Sequence, residues 1–130
     1  IHFDPDVLEV VDADPRKYGI QIEGDEVFEG VTTYLAANGA DNDQGQIDYA
    51  VAVVKQNADD GPISGSGVLG RIEFRAKSEG SSFVSFAGRT DLSDSNGGPI
   101  PSTWRPSLIV VGTQRLYIPQ VNMGQTLDGS

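Results

Sequence analysis

The sequence predicts an all-β fold, an antiparallel β-sandwich with jelly-roll topology, and three observations carry that expectation. Short apolar runs alternate with polar residues at period two, as in "GVLGRIEFRAK" and "QIDYAVAVVK". Turn signals rich in Gly, Asp and Asn separate these runs at short intervals. No segment carries a sustained apolar stripe at the 3.6-residue spacing of a helix.

Taken in order, Ile1 and Phe3 read as the end of a strand, and Asp4-Pro5-Asp6 as a turn. Val7, Leu8, Val10 and Val11 open a second apolar run. "VTTYLAA" reads as a strand, with a helical turn as its alternative, and "ANGADNDQG" as the turn after it. In "QIDYAVAVVK", Ile47, Tyr49, Val51 and Val53 share one face; Asp48, Ala50, Ala52 and Val54 share the other. In "GVLGRIEFRAK", Val68, Gly70, Ile72, Phe74 and Ala76 form the buried face. Leu69, Arg71, Glu73, Arg75 and Lys77 form its wetted face. "SFVSFAG" and "SLIVVG" add two short strands, with "KSEGSS" and "DLSDSNGGPIP" as turns. The domain boundary falls at 112: residues 1–112 form the sandwich and residues 113–130 an extended tail, with Leu116, Ile118, Val121 and Met123 interrupted by a proline.

Composition narrows the function. One domain is expected of 130 residues. Nineteen acidic against nine basic residues give a net charge of −10, which argues against nucleic acid and anionic membrane as partners. The absence of cysteine excludes disulfides and thiol chemistry. No stretch is apolar for long enough to span a membrane as a helix. The acidic, glycine- and proline-rich composition leans toward an extracellular or cell-surface domain.

The order "FDPDVLEVVDADP", "DNDQGQI", "GSGVLGRIEFRAKSEGSSFVSF", "DLSDSNGGPI" and "LIVVG" resembles a bacterial cohesin domain from Ile1 to about Gly112. The tail phrase "RLYIPQV" is similar to segments that follow ectodomains in bacterial surface proteins. The resemblance implies a nine-stranded jelly roll without catalytic activity, holding proteins together outside the cell. The partner it implies is a dockerin-like calcium-binding module or a neighbouring subunit, which includes a homo-oligomer. Carried across, the partner-binding face is Val51, Val54, Leu69, Arg71 and Glu73, on two strands that the resemblance sets in one sheet. The resemblance also implies strands ahead of "FDP", so two strand positions stand vacant. An upstream segment, a cleaved chain or a neighbour's extended segment fills them, with Thr113 to Met123 a candidate donor. Residues 1–130 alone are then expected not to form a stable monomer.

Other chemistries have weaker support. Asp41, Asp43 and Asp48 in "DNDQGQID", and Asp91 with Asp94, are candidate calcium ligands, but the first set departs from the EF-hand spacing and lacks its closing Glu. The competing reading of these clusters, and of Asp59 with Asp60, is turn chemistry and solubility. A glycosidase needs two carboxylates about 5 to 10 Å apart in a cleft, and in so acidic a chain spare carboxylates diagnose nothing. His2 is the one histidine and reads as a rim residue. Trp104, with Tyr34 or Tyr49, is the aromatic set a carbohydrate-binding module would use; with so few aromatics and a loop position between prolines, Trp104 reads rather as a core or rim plug. A structural subunit of a surface layer or fibre, completed by strand addition, is the remaining alternative.

Overall fold

The computed structural model describes residues 1–24, 30–54, 65–86, 90–94 and 96–112. Among them every regular element is a strand and every pairing is antiparallel. The strands are β1 (Leu8–Val10), β2 (Glu23–Gly24), β3 (Thr33–Asp41), β4 (Gln46–Val53), β5 (Gly70–Arg71), β6 (Phe74–Ala76), β7 (Gly80–Val84), β8 (Leu92–Ser93), β9 (Pro99–Ile100) and β10 (Ser107–Val111). No helix occurs among the described residues, and hence none long and apolar enough to cross a membrane. The tail from 113 onward, with its apolar residues, lies outside the described residues, as do Asp59 and Asp60.

The longest ladder is the β3–β4 hairpin, in register from Thr33↔Val53 to Asp41↔Gln46 with an irregularity between Leu35 and Ala37. Residues 37–41, expected as turn, are strand. Gly39 and Asn38 pair with Asp48 and Tyr49, and only Asn42 to Gly45 make the reversal. The Asp41 carboxylate accepts the N–H groups of Asp43 and Gln44 there, and Gly45 supplies a φ of 71°. A β-carbon on Gly45 would overlap the Phe3 carbonyl oxygen.

That close approach fixes the N-terminal segment. Phe3 N–H donates to Gly45 O, Ile47 N–H to Ile1 O, and the terminal ammonium of Ile1 to Ile47 O. On the other side His2 exchanges both backbone bonds with Ser85. Residues 1–3 therefore run between β4 and the end of β7, which pairs in turn with β10 from Gly80↔Val111 to Val84↔Ser107. Side-chain parity puts Ile1, Phe3, Ile47, Tyr49, Val84, Ile109 and Val111 on one face, and all seven join the hydrophobic core.

The remaining ladder closes on that core. The strand expected over 67–77 is observed as two short strands within 70–76, each with its own partner: β1 against β6, and β2 against β5. Residues 12–22 leave the ladder between them. Leu8 and Val10 are buried, and Phe74 sets its ring edge-on to Phe3 at 5.3 Å between centroids. Ile72 and Phe74 pack on the core, while Leu69, Arg71, Glu73 and Arg75 are exposed, as period two predicts; Ala76 at the end of this face, and Val53 at the end of β4, are exposed instead of buried, because each lies at a strand end beyond the core. Tyr49 reaches this second ladder: a β-carbon on Gly24 would stand 3.0 Å from its hydroxyl, and one on Gly70 about 4.0 Å from its ring. Glycine at position 24 leaves room for the hydroxyl, whereas at Gly70 the tightest neighbour is the Glu23 carbonyl oxygen at 3.3 Å.

Two asparagines complete the join. Asn38 accepts from Ile22 N–H (2.8 Å) and donates to Ile22 O (2.8 Å). Asn42 does the same to Val10, at 2.7 and 3.1 Å. Each amide substitutes for one residue of a strand, and Ala40 N–H adds a bond to Ile20 O. The outer edge of β3 over residues 38–42 is thereby occupied.

Candidate functional site

The residues expected to bind a partner fall in two places. Val51 and Val54 belong to the β4 end of the long hairpin, while Leu69, Arg71 and Glu73 lie along the 70–76 run. β4 pairs with β3 and the N-terminal segment, whereas 70–76 pairs with β1 and β2, so the two strands do not adjoin in one ladder. The physical reason is that a period-two pattern identifies a buried face but not the neighbouring strand. Val51 is half-buried on the core-side face with Ile47 and Tyr49. Val54, one residue beyond β4, is exposed.

The other three do share a surface. Leu69, Arg71 and Glu73 are exposed on the outward side of their strand. Arg71 stands opposite Glu23 in register, and Glu9 opposite Arg75, whose Nη1 donates to Glu9 Oε2 at 2.6 Å. Where β1 ends and residues 12–22 depart, a groove of about 440 Å³ opens between Asp12, Ile22, Glu23, Arg71, Ile72 and Glu73. Its lining mixes charged side chains with the apolar Val11, Ile22 and Ile72.

The 12–22 excursion beside the groove is held by two carboxylates. Asp12 Oδ1 accepts the N–H groups of Asp14 and Gln21, both at 3.0 Å. Asp14 takes Arg16 Nε at 2.9 Å and faces Lys17 Nζ at 3.6 Å. The hydrogen bond from Arg16 is the largest cause that lowers the Asp14 carboxyl, opposed next by burial, and it raises Arg16 in return.

The candidate calcium ligands are occupied as turn caps or stand apart. Asp41 caps the β3–β4 turn, and Asp43 is exposed within it. Asp48 sits outward on β4 and accepts from Gln46 Nε2 at 3.3 Å. Asp94 caps the turn between β8 and β9 by accepting from Asn96 and Gly98 N–H, and Asp91 is exposed just ahead of β8. Among the described residues no three acidic or histidine side chains gather closely enough to hold a metal ion.

The aromatic set is dispersed. Trp104 is half-buried against Phe86, ring centroids 5.0 Å apart, and Tyr49 points into the core. Tyr34 is exposed. His2 is exposed at its side chain but committed at its backbone to Ser85.

One surface had no sequence expectation attached to it. On the side of β7 and β10 away from the core, Phe83 lies directly opposite Leu108, with Val110 two residues along. They are 62%, 53% and 71% exposed, and the other outward residues of β7 are Ser81 and the flanking Ser85. The signal was present in "SFVSF" and "SLIVVG", which are apolar at both parities, as a strand covered on both faces would be.

The chain matches no protein-family model, and searches of curated proteins and of solved structures return no match.

Proposed function

We propose that this chain is a non-catalytic, extracellular protein–protein interaction module for scaffolding or adhesion, built on a jelly-roll β-sandwich of the cohesin type. The observation that carries the reading is the balance of apolar surface. Among the described residues six hydrophobic side chains are buried, while twelve large ones are exposed. Phe83, Leu108 and Val110 concentrate that exposure on a stretch of sheet without charge, in a chain of net charge −10. Contiguous apolar surface of this kind is characteristic of contact with another macromolecule. The exposed Leu69, Arg71 and Glu73, with the groove beside them, supply the charged surface that gives a contact its specificity.

The test is site-specific photo-crosslinking on native material carrying the full chain. A photoreactive residue at position 83 is expected to trap one discrete protein adduct, and the same residue at exposed Arg16 none. An adduct with a second copy would identify a fibre or layer subunit. A diffuse smear equal at both positions, or turnover of a polysaccharide or peptide lost on mutating one carboxylate, would overturn the reading.

A further inference from the structure

Asparagine followed by glycine occurs twice in the chain, at Asn38–Gly39 and Asn96–Gly97. Glycine has no side chain to shield its backbone nitrogen. That nitrogen can close on the carboxamide carbon of the preceding asparagine, one reason asparagine is a thermolabile residue. Whether it does so depends on how firmly the fold holds both groups. The fold treats the two pairs oppositely.

Asn38–Gly39 is locked. The Asn38 amide oxygen accepts from Ile22 N–H and its nitrogen donates to Ile22 O, both at 2.8 Å. Both residues lie inside β3, opposite Tyr49 and Asp48 in the longest ladder. Bringing this carboxamide onto the Gly39 nitrogen breaks both side-chain bonds and distorts that ladder.

Asn96–Gly97 is held by far less. Asn96 is exposed in the turn between β8 and β9, and its carboxamide makes no hydrogen bond with a described residue. Asn96 N–H donates to Asp94 Oδ1 at 2.9 Å, and Gly97 N–H donates to Asp94 O at 3.0 Å. Gly97 has a φ of 82°, a conformation that suits glycine, and a β-carbon there would meet nothing within 4 Å. The residue that lets this turn form therefore also leaves its own nitrogen accessible. The hairpin has two residues per strand, Leu92↔Ile100 and Ser93↔Pro99, and neither β8 nor β9 pairs with another described strand. So small a unit opens locally at little cost.

We infer that Asn96 is a site of spontaneous deamidation, a one-way chemical timer set in the β8–β9 turn. When the hairpin opens, the Gly97 nitrogen attacks Asn96 Cγ. A new C–N bond forms, the side-chain nitrogen leaves as ammonia with the proton from Gly97 N–H, and a cyclic imide results. Water then opens the ring at either carbonyl. One route gives aspartate at position 96; the other gives isoaspartate, in which the main chain runs through Cβ and Cγ. Both routes add a negative charge beside Asp94, whose Oδ1 accepts from Asn96 and Gly98 N–H. The isoaspartyl route also lengthens the backbone between the two groups that Asp94 holds, so the same turn does not re-form. The inference does not rest on the interaction reading above.

The experiment incubates the full chain at neutral and at alkaline pH, then maps its peptides by mass spectrometry with electron-transfer fragmentation, which separates aspartate from isoaspartate. Asn96 is expected to convert at least ten-fold faster than Asn38, with isoaspartate the main product and a rate that rises with pH as the Gly97 nitrogen loses its proton. In concentrated urea, which frees Asn38 from Ile22, the two sites are expected to convert at rates within three-fold of one another. Gly97→Ala is expected to slow conversion at position 96 ten-fold or more. Because alanine is strained at this φ, Asn96→Gln serves as a second variant: its longer side chain must close a larger ring, and conversion at 96 is expected to be lost with that at 38 unchanged. Equal rates at Asn96 and Asn38 in the folded chain would overturn the inference. So would a rate at Asn96 more than ten-fold below its rate in urea, because the turn would then be a lock like β3.

Discussion

Two strand edges of this molecule are treated in opposite ways. Along β3, residues 38–42 are held from outside by Ile20 and by the amides of Asn38 and Asn42, each paired with both backbone groups of one residue. Along the run 70–76, the far side is bare of described partners. The difference teaches that hydrogen bonding, and not hydrophobicity alone, decides where a β domain ends. Both strands have an apolar core-side face, but among the described residues only one has donors and acceptors brought to its edge from a segment distant in sequence. The closed side includes the N-terminal segment and the β3–β4 turn, and Ile47 beside them is only 1% exposed.

The most severe way to break the closed side is Gly45→Ala. The residue has a left-handed φ, and its β-carbon would overlap Phe3 O at the point where Phe3 N–H bonds Gly45 O. Strain at such a backbone position costs about 1–3 kcal/mol, and the steric overlap adds to it. A loss of about 3 kcal/mol or more is expected from urea unfolding, with the N-terminal segment released. A loss under about 1 kcal/mol would show that residues 1–3 are not anchored as described.

Next comes the amide stitch. Asn42→Leu keeps the approximate size but leaves Val10 N–H and C=O without their partner. Each buried backbone group stranded in this way costs about 1–3 kcal/mol, so about 2–4 kcal/mol in total is expected. Asn38→Leu at Ile22 is the parallel case. Asn42→Asp, which keeps the acceptor and loses the donor, should fall between wild type and Leu. Equal stability of Asn42→Leu and wild type would mean that water replaces the amide and the edge is as open as the other.

The two faces of the 70–76 run separate by a smaller margin. Ile72→Asp places a carboxylate against the core and is expected to cost about 2–3 kcal/mol. Leu69→Asp on the outward side should change stability by less than about 0.5 kcal/mol while weakening partner binding. Circular dichroism melts of the variants side by side decide the matter; similar losses at 69 and 72 would mean that the face assignment is inverted.

How far these features were legible in advance follows from what one-dimensional patterns encode. Period two correctly sorts Ile72 and Phe74 from Arg71 and Glu73, and Ile47 and Tyr49 from Asp48, because burial of one face imposes that alternation directly. It says nothing about neighbours: that β4 pairs with β3, and the 70–76 run with β1 and β2, could not be read from it. Asn38, Gly39 and Asn42 have turn-like composition, yet Asn38 and Gly39 are strand. Their role is set by Val10 and Ile22, distant in sequence, and no local pattern signals it. That "SFVSF" and "SLIVVG" are apolar at both parities was legible, but only the register of β7 with β10 brings Phe83, Leu108 and Val110 together on one side.

The mildest probe of the comparison is pH, acting through the loop that closes the β3 edge. Asp14 anchors the 12–22 excursion by accepting from Arg16 and by its carbonyl bond from Lys17 N–H. Its pKa is lowered in the folded chain, first by the Arg16 hydrogen bond. A carboxyl with a depressed folded pKa contributes stability above its unfolded value of about 3.9, and that contribution is lost as pH falls through the lower folded value. The pair is solvent-exposed, so salt screens it and the effect on global unfolding is small. The readout is therefore local: an NMR titration of the Asp14 carboxyl, with amide exchange at Lys17. The midpoint should lie below the ordinary carboxylate range in wild type and return to it in Arg16→Ala, while Lys17 exchange accelerates below the midpoint. Because Ile20 and Ile22 of the same excursion hold β3, amide exchange at Ala40 should follow Lys17, and exchange at Phe74 on the open edge should not. A midpoint unchanged by Arg16→Ala would remove the ion pair as the anchor, and a response at Phe74 equal to that at Ala40 would erase the distinction between the two edges.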